Sequence, residues 1–150
     1  MNYSVDEAYM QMALSVSLDG LGRVWPNPSV GCVIVNDGVV VGHGRTADSG
    51  RPHAEAAALE MAGERAKGAT VYVTLEPCRE RSTGAPSCSQ RLIEAGVSKV
   101  IIATRDPHPL RSGGIEALRE SGIPVELGPL REQADEFYQD FFKAVTEADS

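Results

Sequence analysis

The apolar positions of this chain change period from stretch to stretch, and those changes predict its elements. Ser4-Val5-Asp6-Glu7 has the form of a capping box, in which the Ser4 hydroxyl and the Glu7 carboxylate satisfy free backbone amides. Tyr9, Met12, Ala13 and Val16 follow at helical spacing, which predicts a first helix ending near Leu18-Asp19-Gly20 with that stripe in the core. β-branched residues then take over. Residues 30–35 and 39–41 flank Asn36-Asp37-Gly38 and read as a hairpin, with Gly42-His43-Gly44 ending its second strand. Cys32 sits inside the first run as a small buried hydrophobe, and His43 is given no functional role. Ala54, Ala57, Ala58, Met61 and Ala62 supply the apolar face of an Ala-rich helix that starts at His53. A strand over 70–75 comes next. A helix then runs from Ser87 or Cys88 through Leu92, Ile93 and Ala95 to Gly96, followed by an apolar strand over 100–103. A short helix around 115–119 precedes a strand around 123–127, which Pro124 puts at a sheet edge or at the strand's beginning. The last helix carries Ala134, Phe137, Tyr138, Phe141, Phe142 and Val145 on one stripe, apolar enough to cover the sheet, an oligomer partner, or both.

The order α-β-β-α-β-α-β-α-β-α predicts an α/β protein, a mostly mixed sheet with helices on both faces. No repeat, low-complexity segment or linker interrupts it, so residues 1–150 read as a single domain, long enough to bury roughly two-thirds of its unfolded surface. With 42% hydrophobic and 23% charged residues the composition is that of a soluble globular protein. The N-terminus shows no basic-then-apolar leader and no run reaches membrane-spanning length, so no membrane partner is expected. Three cysteines are an odd number, which argues against a disulfide framework and for a reducing cytoplasm. A net charge of −7 and a pI near 4.9 weigh against nucleic-acid polymers as partners. They leave room for a small phosphorylated substrate held by a local cluster of cations.

Chemistry concentrates in His53-Ala54-Glu55, Pro77-Cys78 and Cys88. Imidazole and thiolate suit Zn²⁺, and three protein ligands leave a fourth tetrahedral position open for water. Glu55, in the first turn of a helix whose dipole favours anionic oxygen, is better placed as a proton shuttle than as a ligand. This is the H-x-E…P-C…C signature of the zinc nucleobase deaminases. Nine residues separate Cys78 from Cys88 instead of the usual two, a change that costs only ~0.6 kcal/mol of closure entropy per doubling of the loop. A structural zinc or two unrelated cysteines are the alternatives. A structural site would want a fourth Cys or His, for which the chain offers only Cys32, His43 and His108.

Longer blocks sharpen this reading. They are Asn27-Pro28-Ser29-Val30-Gly31-Cys32-Val33-Ile34-Val35, Gly50-Arg51-Pro52-His53-Ala54-Glu55, Tyr72-Val73-Thr74-Leu75-Glu76-Pro77-Cys78, Leu92-Ile93-Glu94-Ala95-Gly96-Val97, Asp106-Pro107-His108-Pro109 and Gly122-Ile123-Pro124-Val125. With them the chain resembles, over nearly its whole length, the deaminase half of the bacterial riboflavin-biosynthesis deaminase/reductases. The resemblance implies a cytidine-deaminase-like fold, a three-layer α/β/α sandwich around a central mixed five-stranded sheet. It implies Zn²⁺ on His53, Cys78 and Cys88, Glu55 as proton shuttle, and substrate contacts from Asn27, Asp106 and His108. The implied reaction removes an amino group from 2,5-diamino-6-ribosylamino-4(3H)-pyrimidinone 5′-phosphate, with water in and ammonia out. Association as a homodimer or higher homo-oligomer is expected from the last apolar stripe and from the habits of this fold. The reductase domain has no counterpart in these residues, so a stand-alone deaminase and an excised domain both remain open.

Three departures from the family pattern fall on positions expected to face substrate. Arg79-Glu80 stand where Ser-His is usual, in a loop one residue longer than the family's; His108 replaces an asparagine; and Thr46 replaces a histidine. They keep a second reading open, deamination of another aminopyrimidine, a pterin or a guanine-like base. A non-enzymatic reading is a catalytically silent, zinc-stabilised scaffold or partner subunit, against which the intact Glu55 speaks. Arg45, Arg51, Arg79, Arg81 and Arg111 converge by sequence on the zinc loops, and Arg79 and Arg81 are the foremost candidates for a substrate phosphate. Solvated loop charges, partly offset by Asp48 and Glu80, are the alternative.

Overall fold

Strands that are apolar at successive positions need cover on both faces. The structure, a computed structural model, describes residues 4–20, 28–48, 53–78, 87–107, 113–140 and 143. It forms one sheet from β1 (Gly31–Asn36), β2 (Val39–Arg45), β3 (Thr70–Leu75), β4 (Lys99–Thr104) and β5 (Val125–Leu127), in the order β2-β1-β3-β4-β5. β1 runs antiparallel to β2 and β3, whereas β3–β4 and β4–β5 are parallel, so the sheet is mixed as expected. Side chains alternate across it. Cys32, Ile34, Val71, Val73, Val100 and Ile102 face the helices α2 (Ala54–Ala62), α3 (Cys88–Ala95) and α4 (Gly114–Glu120). Val33, Val35, Tyr72, Ile101 and Ala103 face α1 (Val5–Leu18) and α5 (Arg131–Phe137). The result is the three-layer α/β/α sandwich. Among the described residues no helix is long and apolar enough to cross a membrane.

Half of the capping box forms as expected, the Ser4 hydroxyl accepting from the Glu7 amide at 3.1 Å, while the Glu7 carboxylate accepts from the Ser4 hydroxyl at 3.3 Å. The face that α1 buries is rotated from the expected stripe. Met10, Ala13, Leu14 and Ser17 are buried, whereas Met12 is 43% exposed and Tyr9 and Val16 are only half-buried. Ser17 disguised that face. Its hydroxyl donates to the Leu14 carbonyl at 2.6 Å, so a polar residue sits in the core without loss. Met61 of α2 is likewise exposed, because Ala54, Ala58 and Ala62 turn to the sheet instead.

β2 continues through Gly42-His43-Gly44 to Arg45, beyond its expected end. The glycines make room for α2. A Cβ on Gly42 would lie 2.4 Å from the Ala58 carbonyl oxygen, and one on Gly44 2.7 Å from the Ala57 Cβ. That close approach sets where α2, and with it His53, meets the end of the sheet. A 3-10 turn over Gly63–Ala66, absent from the sequence reading, follows α2. Pro124 stands just before the edge strand β5, as expected. In the last stripe Ala134 and Tyr138 are buried, and Phe137 meets Tyr138 edge to face at 4.9 Å. Phe141, Phe142 and Val145 lie outside the described residues.

Candidate metal centre and active site

Three donors arrive from three separate segments. His53 is the extended residue before α2, and its carbonyl accepts the first helical hydrogen bond from the Ala57 amide at 3.1 Å. Its imidazole makes no capping bond and is left for other use. Cys88 opens α3, whose start is capped by the Ser87 hydroxyl accepting from the Gln90 amide at 3.1 Å. Cys78 follows β3 and Pro77. The Ser89 amide and hydroxyl both donate to the Cys78 carbonyl, at 3.1 and 2.8 Å, and the Cys88 amide donates to Cys78 Sγ at 3.3 Å. These bonds hold two cysteines, ten positions apart, in one corner. The His53 Nδ1 lies 3.2 Å from Cys88 Sγ, and the donor atoms of His53, Cys78 and Cys88 all fall within 4.8 Å of one another.

The donor set fits a metal ion. One imidazole nitrogen and two sulfurs suit zinc, and a triad leaves a coordination position for a small ligand. The charges agree. The Cys88 thiol and His53 hold the Cys78 thiol down to about 4, so it is ready as a thiolate. Glu55, buried in the first turn of α2, is pushed up to about 7 by burial, with the Cys78 thiolate adding to the rise and His53 and Cys88 opposing it. A carboxyl poised near neutrality beside such a triad can both take up and release a proton.

The other expected site residues divide. Asp106, two residues past the end of β4, is buried, and its amide donates to the Glu76 carboxylate at 3.2 Å. Asn27, Arg79, Arg81 and His108 lie outside the described residues, as do Arg51 and Arg111. Arg45 is engaged by carboxylates, pairing with Asp19 at 3.1 Å and Asp48 at 2.9 Å. Thr46, expected to face substrate, is buried and turns its hydroxyl to the backbone. It accepts from the Val30 amide at 3.0 Å and donates to the Pro28 carbonyl at 3.1 Å. Cys32 lies in the core and His43 is exposed on β2; neither joins the triad.

Sequence reasoning passed over Thr74, Tyr138 and Glu76. The Tyr138 hydroxyl donates to the Ser29 carbonyl at 2.9 Å and lies 2.6 Å from Thr74 Oγ1. With its single proton committed to Ser29, the phenol accepts from Thr74, which itself accepts from the Gly31 amide at 3.0 Å. The segment 28–31 is thereby fixed from both sides. Glu76 had a signal, an acid at the end of an apolar run just before Pro77-Cys78. Nothing local marked Tyr138.

Comparison with known proteins agrees with this geometry. Residues 3–104 match the cytidine and deoxycytidylate deaminase zinc-binding region. The riboflavin biosynthesis protein RibD of Aquifex aeolicus is 47% identical over 144 residues, covering 95% of this chain but 40% of that protein. The chain thus spans about 40% of the length of such relatives. A diaminohydroxyphosphoribosylamino-pyrimidine deaminase of Buchnera aphidicola is 44% identical over 139 residues, covering 92% of this chain and 94% of that one. The solved structure of Acinetobacter baumannii RibD superposes with a TM-score of 0.88 at 45% identity, over 94% of this chain and 40% of that one. The chain belongs to the cytidine and deoxycytidylate deaminase zinc-binding family, with the diaminohydroxyphosphoribosylamino-pyrimidine deaminases.

Proposed function

We propose that residues 1–150 act as one zinc-dependent hydrolytic deaminase whose substrate is 2,5-diamino-6-ribosylamino-4(3H)-pyrimidinone 5′-phosphate. The observation that carries this reading is the juxtaposition of the His53, Cys78 and Cys88 donors with a buried Glu55 whose carboxyl is raised to about 7. The substrate follows the relative that the chain matches nearly end to end. His53, Cys78 and Cys88 hold the zinc. When bound, the ion supplies the Lewis acidity that makes water nucleophilic at neutral pH. Glu55 would take a first proton from that water and pass it to the ring nitrogen, then take the second from the hydroxyl now on the ring carbon and pass it to the departing amine as the carbonyl forms. One C–O bond forms, one C–N bond breaks, and ammonia leaves. The burial that raises Glu55 also keeps bulk water from competing for those protons. Asn27, Asp106 and His108 contact the ring and ribose, and Arg79 and Arg81 meet the phosphate.

A homodimer, or a larger homo-oligomer, and a cytoplasmic setting complete the reading. The apolar stripe of the last helix supports the first. The second is supported by three free cysteines, two of which must stay reduced to bind metal. One observation favours a second reading: the Thr46 hydroxyl, at a position where the family resemblance implies a substrate-facing histidine, is engaged by backbone and so offers a substrate no equivalent contact. That difference suits another aminopyrimidine, a pterin or a guanine-like base.

Ammonia release from a panel of aminopyrimidines, each with and without a 5′-phosphate, decides between the two. The fastest turnover should fall on the phosphorylated diaminopyrimidinone ribosylamine. Equal KM values with and without phosphate would refute the phosphate contacts, and turnover of a different ring alone would refute the substrate.

A further inference from the structure

We infer that Glu76 is a positioning residue that mounts Asp106 and the start of α4 on the Pro77-Cys78 turn, keeping the substrate-facing side of the site in register with the metal side. The inference rests on the reading above in one respect, that Asp106 faces the substrate. Strand pairing between β3 and β4 reaches Leu75 and Thr104, and the Glu76 amide adds one more bond to the Thr104 carbonyl at 3.0 Å. Beyond that point the Glu76 side chain takes over. It is fully buried, and its two oxygens divide between two places. Oε1 accepts from the Asp106 amide at 3.2 Å, while Oε2 accepts from the amides of Gly113 and Ile115 at 3.0 and 3.2 Å. Arg105 Nε stands 3.6 Å from Oε1 and balances the charge.

A carboxylate that only capped α4 would use Gly113 and Ile115. The bond to Asp106 goes further and ties both ends of the 106–113 stretch to the residue two positions before Cys78. Backbone contact reinforces the junction: a Cβ on Gly114 would lie 1.8 Å from the Pro77 carbonyl oxygen, so α4 begins directly against the metal-side turn. Buried amides need partners, and one carboxylate supplies three.

The test is Glu76→Gln in the full chain, with metal content, kcat, KM for the diaminopyrimidinone ribosylamine phosphate, and hydrogen exchange at the amides of Asp106, Gly113 and Ile115. The amide side chain keeps one acceptor oxygen and turns an NH₂ towards a backbone donor. Metal content and kcat should stay within about threefold. KM should rise on the order of tenfold or more, the effect of losing hydrogen bonds to a charged group. The three amides should exchange at least about tenfold faster while β1 and β3 keep their protection. Unchanged exchange at all three amides overturns the inference, as does a fall in kcat or metal content with KM unaltered. If Glu76→Gln does not fold, Glu76→Asp serves, since a carboxylate one methylene shorter cannot span Asp106 and Gly113; it should move the same quantities in the same direction. Absence of turnover in the unmutated chain would retire the substrate assignment instead, and the exchange comparison would still decide the role of Glu76.

Discussion

The layer of α2, α3 and α4 and the layer of α1 and α5 cover opposite faces of one sheet, yet only the first brings helix starts to the metal cluster. His53 precedes α2, Glu55 lies in its first turn, and Cys88 opens α3. Small residues dominate that contact: Ala54, Ala58 and Ala62 lie over Gly42 and Gly44. The other layer packs larger side chains, Met10, Leu14, Tyr72 and Tyr138, and reaches towards the site through hydrogen bonds that include Tyr138 with Thr74 and Ser29, Ser29 with the Ser17 carbonyl, and Thr104 with Asp135. The difference teaches that burial and chemistry are separable here. Disturbing the first layer should move metal and turnover together, whereas disturbing the second should move stability alone.

The most drastic break is Cys78→Ser. It should abolish metal binding and turnover, while Cys32→Ser, in strand β1 and outside the triad, should keep its metal. Metal analysis of both variants decides, and equal loss in both would contradict the triad. Next in size is a pair that sets the layers against each other. Leu14→Ala should cost about 2–5 kcal/mol of stability and leave metal content and kcat unchanged. Gly44→Ala, which forces α2 off β2, should cost about 1–3 kcal/mol and lower metal occupancy as His53 moves. Denaturant unfolding alongside metal analysis separates the two patterns.

A third effect depends on pH and concerns the metal-free protein. Burial raises the Glu55 carboxyl from 4.5 to about 7. Between those values the folded chain keeps a proton that the unfolded chain has released. The contribution of Glu55 to stability is therefore complete below pH 4.5 and is lost as pH rises through 7. Cys78 runs the other way, its thiol being depressed, and its repulsion of the Glu55 carboxylate is part of what Glu55→Gln removes. Glu55→Gln should thus match wild type at pH 4 and exceed it at pH 8, by up to about 3 kcal/mol. A gain independent of pH would count against the raised carboxyl. The smallest effect is that of Tyr138→Phe, which removes the bonds to Ser29 and Thr74 at a cost of about 1–2 kcal/mol and should leave metal content intact. Thermal unfolding with metal analysis checks it.

The strands were legible because burial on both faces writes them as apolar runs, and the triad because imidazole, thiolate and carboxylate keep a recognisable spacing around the Glu-Pro-Cys turn. The facing of α1 was not legible. Ser17 satisfies its own hydroxyl within the helix, and Met12 stays exposed, so the hydrophobic pattern points about one position off. The hydrogen-bonding roles of Glu76, Thr74 and Tyr138 escaped notice for a different reason. Their partners stand far away in sequence, 30 residues for the Glu76 bond to Asp106 and 109 for the Tyr138 bond to Ser29. No local periodicity encodes a carboxylate that serves distant backbone amides.

The central claim is that His53, Cys78 and Cys88 hold the metal while Glu55 moves the protons. Metal content and ammonia release measured together on Glu55→Gln test it most directly. The variant should bind as much zinc per chain as wild type and turn over about 10²–10⁴-fold more slowly. Loss of the metal would make Glu55 a ligand, and undiminished turnover would give the proton transfer to another group; either result contradicts the account.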